Sequence, residues 1–194
     1  MTVRGVVLAG GKSSRFGEDK ALVKMNGTTF LEKAVNLLKE LETDPVVITN
    51  SYRDYSFIDC PIYKDRIADR GPLGGLYTAC ELFKGEVVFV LTCDMPALKC
   101  SNLRTLLEAH QKGSLITVYV NQEGEVEPFP GLYDSGLSDL ILARVEHRPF
   151  AVRAFIDAIP QRAVIPFKED ARALLSVNQK SDLEALPGAI SSSF

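Results

Sequence analysis

The stretch GVVLAGGKSSRFGEDKAL, Gly5 to Leu22, passes from a Val-rich apolar run into two adjacent glycines and then a loop carrying Lys12, Arg15 and Lys20. The run that leads into it, VRGVVLA, is almost continuously apolar, the pattern of a strand buried on both faces. Strands of that kind belong to parallel sheets covered by helices, and open α/β sheets bind ligands beyond the carboxyl ends of their strands. A glycine-rich, basic loop at that position is therefore expected to hold a ligand. Gly10 and Gly11 let successive backbone N–H groups face one anion, and Lys12, Arg15 and Lys20 add donors suited to phosphate. A surface turn with solvated basic side chains is the other reading of the same residues.

Downstream, TFLEKAVNLLKEL places Leu31, Ala34, Val35, Leu38 and Leu41 on one helical face. Thr29 and Glu32 have the spacing of a capping box at its start. PVVIT, PIY and VVFVLT read as extended, GPLGGLYTACELFKG as a loop entering a helix closed by Gly85, and Ser101 to Lys112 as an amphipathic helix. Strands alternating with helices predict crossover units. The second half is less regular: SLITVYV reads as a strand, NQEGEVEPFPGLY as a turn and an extended piece, and Leu137 to Val145 and PFAVRAFIDAI as helices. LLSVNQKSDLEAL then predicts a strand, a polar turn and a terminal helix. The fold class expected is an α/β, Rossmann-like, doubly wound and mostly parallel open sheet with an irregular C-terminal extension shaping an acceptor site. Residues 1–194 form one domain in this reading, with a nucleotide half at about 1–100 and an acceptor half at about 101–190.

Composition excludes several classes. With 22 Lys and Arg against 25 Asp and Glu, the net charge of -3 carries no footprint for nucleic acid or an anionic membrane. Cys60, Cys80, Cys93 and Cys100 form no Cys-x-x-Cys pair and His110 and His147 stand far apart, so a zinc site is not expected. No apolar run approaches a bilayer's thickness and no leader-like pattern opens the sequence, so the expectation is a protein of the reducing cytoplasm.

The loop matches neither common phosphate grammar. Gly11-Lys12-Ser13 has the tail of a Walker A loop, but Val6 stands where its first glycine belongs, and Gly10, Gly11 and Gly17 do not space as a dinucleotide fingerprint. The second feature is VLTCDMP, with Asp94 at the carboxyl end of a buried strand. A carboxylate there suits Mg²⁺, which takes one or two carboxylates plus phosphate oxygens; a turn or capping aspartate is the alternative. A glycine-basic loop after one strand and an acid after another are the two halves of a metal–nucleotide site.

LAGGKSSRFGEDKAL, DRIADRGPLGGL and CDMP, in that order, resemble the molybdenum cofactor guanylyltransferases, and EPFPGLY and SVNQKSDLEAL extend the resemblance to Leu186. It implies GTP and molybdopterin or Mo-molybdopterin as substrates, Mg²⁺ as cofactor, other proteins of molybdenum cofactor assembly as partners, and neither nucleic acid nor membrane. Leu8, Ala9 and Gly10 would meet the guanine or ribose, Lys12, Arg15 and Lys20 the triphosphate, and Asn50, Asp65 and Gly71 the nucleoside. Arg15, Lys20 and Asp94 would be catalytic, Asp94 holding the metal and Asn178 serving the acceptor. Read from their turn-rich surroundings alone, Asn50 and Asp65 serve equally well as local backbone caps. The family's C-terminal signature resembles Asn-Val-Asn-Thr-Pro-Glu-Asp-Leu; this chain keeps Asn178 but lacks the first asparagine and the proline. A cytidylyltransferase, another Mg²⁺-dependent nucleotidyltransferase and a non-catalytic carrier of GTP or molybdopterin would share much of the pattern. Phe129, Tyr133 and Cys93 read as core residues.

Overall fold

The computed structural model describes residues 2–10, 19–50, 54–67, 69–148, 150–184 and 186. In chain order the elements are β1 (Val3–Ala9), a small hairpin of β2 (Lys24–Met25) and β3 (Thr28–Thr29), α1 (Phe30–Lys39), β4 (Val46–Thr49), β5 (Ile62–Lys64), α2 (Gly71–Leu82) and β6 (Val87–Thr92). They continue with α3 (Cys100–Ala109), β7 (Ile116–Val120), β8 (Val126–Asp134), α4 (Ser138–Val145), α5 (Val152–Asp157) and β9 (Arg162–Pro166).

The apolar runs fold as their patterns require. Val6 and Val7 of β1 and Val88 to Leu91 of β6 have no solvent exposure, because helices cover both faces of these central strands. At the start of α1 the Thr29 hydroxyl accepts the Glu32 N–H at 3.1 Å, and Glu32 accepts the Thr29 N–H at 2.7 Å. Leu31, Ala34, Val35 and Leu38 then turn one face of α1 into the core.

Among the described residues, seven strands form one sheet in the order β5-β4-β1-β6-β8-β7-β9, parallel except for β8, which runs antiparallel between β6 and β7. From β1 the chain steps outward to β4 and β5, then crosses back to β6 on the other side of β1. The crevice between the ends of β1 and β6 is thus the topological switch point, where an open sheet leaves room for a ligand. Leu8 pairs with Thr92 as the last matched residues of the two strands, so Ala9–Gly10 and Cys93–Asp94 emerge side by side.

Two readings of the second half are corrected. LLSV forms no strand: a 3-10 turn ends at Leu174, and the Val177 N–H donates to the Asp94 carbonyl at 2.8 Å instead of to a sheet. The last strand lies earlier, at Arg162–Pro166, where it pairs in parallel with β7. Its five residues begin with Arg, end with Pro and are only half buried, so the segment shows little strand pattern of its own. The free edge of β7 recruits it. The expected terminal helix is a 3-10 turn, Lys180–Leu183, within the described residues. Phe129 and Tyr133 are buried as expected, Tyr133 completely.

Candidate active site

The switch point opens into a cavity of about 710 Å³, and the expected residues Leu8, Ala9, Gly10, Lys20, Asn50, Asp65, Gly71 and Asp94 all line it. Lys12 and Arg15 lie outside the described residues. Gly10 has φ +137°, a conformation that a side chain would strain, and it ends β1 at the cavity wall.

Three residues far apart in sequence meet where β1 and β6 end. The Lys20 Nζ lies 3.4 Å from Asp94 Oδ2 and donates to Asn178 Oδ1 at 2.8 Å. Asp19 fixes the turn that carries Lys20: its Oδ1 accepts the Ala21 N–H at 3.0 Å, and its Oδ2 accepts the hydroxyl of buried Tyr55 at 2.6 Å. Asp94 Oδ1 is buried and has no hydrogen-bond partner among the described residues. An ionised oxygen left in that state is costly, so the position favours a ligand that will coordinate it.

Asn178 uses both ends of its amide inside the protein, since its nitrogen donates to the Ser176 carbonyl at 3.1 Å. The segment that carries it is clasped at two points. Val177 is completely buried beside Phe30 and Leu186, and Asp182 Oδ2 accepts the N–H groups of Asn178 and Gln179 at 2.7 and 3.0 Å. The backbone N–H of Asn178, assisted by Gln179, holds the Asp182 carboxyl below its usual range. That clasp is complete above the ordinary carboxylate range and is lost as pH falls through the lowered value. Asn178→Ala removes one of the two anchors of Lys20, and a hydrogen bond to a charged group is worth ~1.5–3 kcal/mol. Turnover is expected to fall by roughly tenfold or more, read as a lower kcat. An unchanged kcat with a raised acceptor KM would instead assign Asn178 to direct acceptor contact.

At the other end of the cavity, the Asn50 Nδ2 donates to Asp65 Oδ2 at 3.2 Å. Asp65, which lines the cavity, is also a local cap, its Oδ1 accepting the Ile67 N–H at 3.1 Å. Cys93 is almost fully buried and desolvation pushes its thiol up to about 12, which removes it as a nucleophile. Among the described residues no three His, Cys, Asp or Glu side chains converge as a metal cluster.

Sequence reasoning missed several lining residues. Asp19, Asp69, Arg148 and Phe150 face the cavity, and the Arg148 guanidinium lies 5.1 Å from the centre of the Phe150 ring. Arg70 stacks on the same ring at 4.8 Å. Asp19 had a signal, an aspartate directly before Lys20 at a turn. Arg148 and Phe150 had none, because their approach depends on how the connection between α4 and α5 folds back over the start of α2.

Residues 5–181 match the family described as the MobA-like NTP transferase domain. The chain is 31% identical over 188 residues to the "Probable molybdenum cofactor guanylyltransferase" of Carboxydothermus hydrogenoformans, covering 93% of this chain and 92% of that one. It is 31% identical over 195 residues to the protein of the same name from Thermococcus sibiricus, covering 96% and 98%. Among solved structures, molybdopterin-guanine dinucleotide biosynthesis protein A from Archaeoglobus fulgidus superposes with a TM-score of 0.78 over 94% of this chain and 95% of that one. At 19% identity that likeness is one of fold. Among the described residues no helix is long and apolar enough to cross a membrane.

Proposed function

Because this chain belongs to the MobA-like NTP transferase family, we propose that it transfers GMP from GTP to the terminal phosphate of molybdopterin and releases pyrophosphate. The observation that carries the reading is the meeting of Lys20 and Asp94 at the mouth of the β1–β6 crevice, with Asp94 Oδ1 buried and without a hydrogen-bond partner among the described residues. A non-catalytic carrier has no use for a carboxylate held in that state.

An oxygen of the acceptor phosphate attacks the α-phosphorus of GTP, the new P–O bond forms, and the bond to the bridging α–β oxygen breaks as pyrophosphate departs. The acceptor brings its own nucleophile, so the protein contributes alignment and charge. Lys20 sits where negative charge on the leaving phosphates would develop, held by Asp94 and Asn178. Lys12 and Arg15 would add donors to the triphosphate. Asp94 fits Mg²⁺, since a single carboxylate with a free oxygen suits an ion that completes its shell with phosphate oxygens and water. Bound there, Mg²⁺ would neutralise charge on the phosphates.

The nucleoside would lie along Leu8, Ala9 and Gly10 toward Asn50, Asp65 and Gly71, and the acceptor would approach from the side of Asn178 and the second half of the chain. We read the two halves as nucleotide and acceptor sides of one catalytic unit. All four cysteines are free thiols, which suits the cytoplasm, where cofactor assembly partners would also be found.

The test is base choice. Guanine offers donors at N1 and N2 and an acceptor at O6, whereas cytosine offers one donor and two acceptors, so one set of pocket groups cannot satisfy both. A single mismatched buried polar group costs ~1–3 kcal/mol, so GTP is expected to exceed CTP in kcat/KM by roughly tenfold to hundredfold. Pyrophosphate release with molybdopterin and each nucleotide measures this. Equal efficiency or a preference for CTP would replace the guanylyl reading with a cytidylyl one.

A further inference from the structure

We propose that Thr78, a hydroxyl on α2 outside the cavity, is a positioning residue for nucleobase choice: through Asp65 it sets which end of the Asn50 amide the nucleotide meets. The inference rests on the guanylyl reading of the cleft.

Thr78 has no solvent exposure. Its hydroxyl donates to Asp65 Oδ1 at 2.6 Å and accepts the Arg66 N–H at 2.9 Å, so both its donor and an acceptor position are in use. Asp65 is thereby held on one oxygen by Thr78 and by the Ile67 N–H, while its other oxygen takes the Asn50 Nδ2. Gly74, one turn earlier on α2, leaves the space for this arrangement. A Cβ there would lie 2.8 Å from the Ile67 carbonyl and 3.3 Å from Asp65 Oδ2. Helix, loop and strand end are thus built around one carboxylate orientation.

The consequence for the ligand follows from donor and acceptor chemistry. A carboxylate only accepts, so the Asn50 nitrogen must face Asp65 with one of its two N–H groups; the amide orientation is thereby set, and its carbonyl oxygen is the acceptor this side chain can offer the cavity it lines. A fixed acceptor suits the N1–H and N2–H₂ edge of guanine and opposes the N1 acceptor of adenine. An Asn50 amide released from Asp65 can turn over and present either end, and it then selects neither base. Thr78 controls that release without touching the nucleotide.

The experiment measures Kd for GTP and for ATP, with Mg²⁺ and without pterin, in the wild type, Thr78→Val and Thr78→Ser. Valine keeps the shape and removes the hydroxyl, while serine keeps the hydroxyl and loses a buried methyl. Both variants should melt below the wild type. If Thr78 mattered only for packing, their nucleotide preferences would move together. The relay predicts that the GTP-over-ATP ratio falls at least tenfold in Thr78→Val and stays at the wild-type value in Thr78→Ser. A ratio preserved in Thr78→Val, or lost equally in both, overturns the relay. A wild type that binds ATP as tightly as GTP overturns the guanine reading itself. The relay must then raise both Kd values about tenfold in the Val variant alone, and it fails if it does not.

Discussion

Asp94→Asn is expected to lose ~10²–10³ in turnover, the scale on which removing one preorganised electrostatic group acts, while the fold survives. The substitution keeps size and shape at a position two residues beyond the end of β6, where the side chain is partly exposed. Lys20 retains its 2.8 Å bond to Asn178, so the loop after β1 stays attached to the C-terminal clasp. The pair that is lost is partly solvated, with side-chain exposures of 18% and 21%, and its contribution to stability is ~1 kcal/mol or less. In the wild type a buried carboxylate oxygen stands without a hydrogen bond from the described residues, which costs stability that an ordinary structural aspartate would not incur. The melting temperature of Asp94→Asn is therefore expected to stay within a few degrees of the wild type while pyrophosphate release collapses. A wild-type rate at saturating Mg²⁺ would remove Asp94 from the chemistry.

Lys20→Ala is expected to lower kcat by a similar ~10²–10³, with a smaller change in the molybdopterin KM. A cation beside the leaving phosphates is needed most when charge accumulates on them, so its loss falls on the transition state more than on the bound substrates. The anchors of Lys20 make the effect specific to that position. Asp94 and Asn178 fix the ammonium at the crevice mouth from two sides, and the Asp19–Tyr55 bond fixes the turn beneath it. An unchanged kcat with only a raised acceptor KM would move Lys20 from leaving-group stabilisation to acceptor binding.

Much of this site was legible because its residues sit at strand ends that announce themselves locally. Gly10, Lys20 and Asp94 follow two Val-rich runs whose burial on both faces leaves few places for the polar residues that come after them. The Thr29–Glu32 cap likewise needs only residues three apart, and it formed as spaced. The resemblance supplied the roles expected of Asn50, Asp65, Gly71 and Asn178; their surroundings alone read Asn50 and Asp65 equally well as local backbone caps.

The sequence by itself determined the alternation of buried strands and helices, hence a mainly parallel sheet and the edge at which a ligand would sit, because hydrophobic periodicity and capping act over a few residues. Only the tertiary structure decided that Arg162–Pro166 and not the LLSV segment joins the sheet, since an edge strand is chosen by the unpaired neighbour it meets. It alone brought Asn178 onto Lys20, 158 residues away, and gave the buried hydroxyl of Thr78 its carboxylate. Such contacts depend on how helices and loops close over the finished sheet, and hydrogen bonds between residues so far apart leave no periodic trace in the chain that makes them.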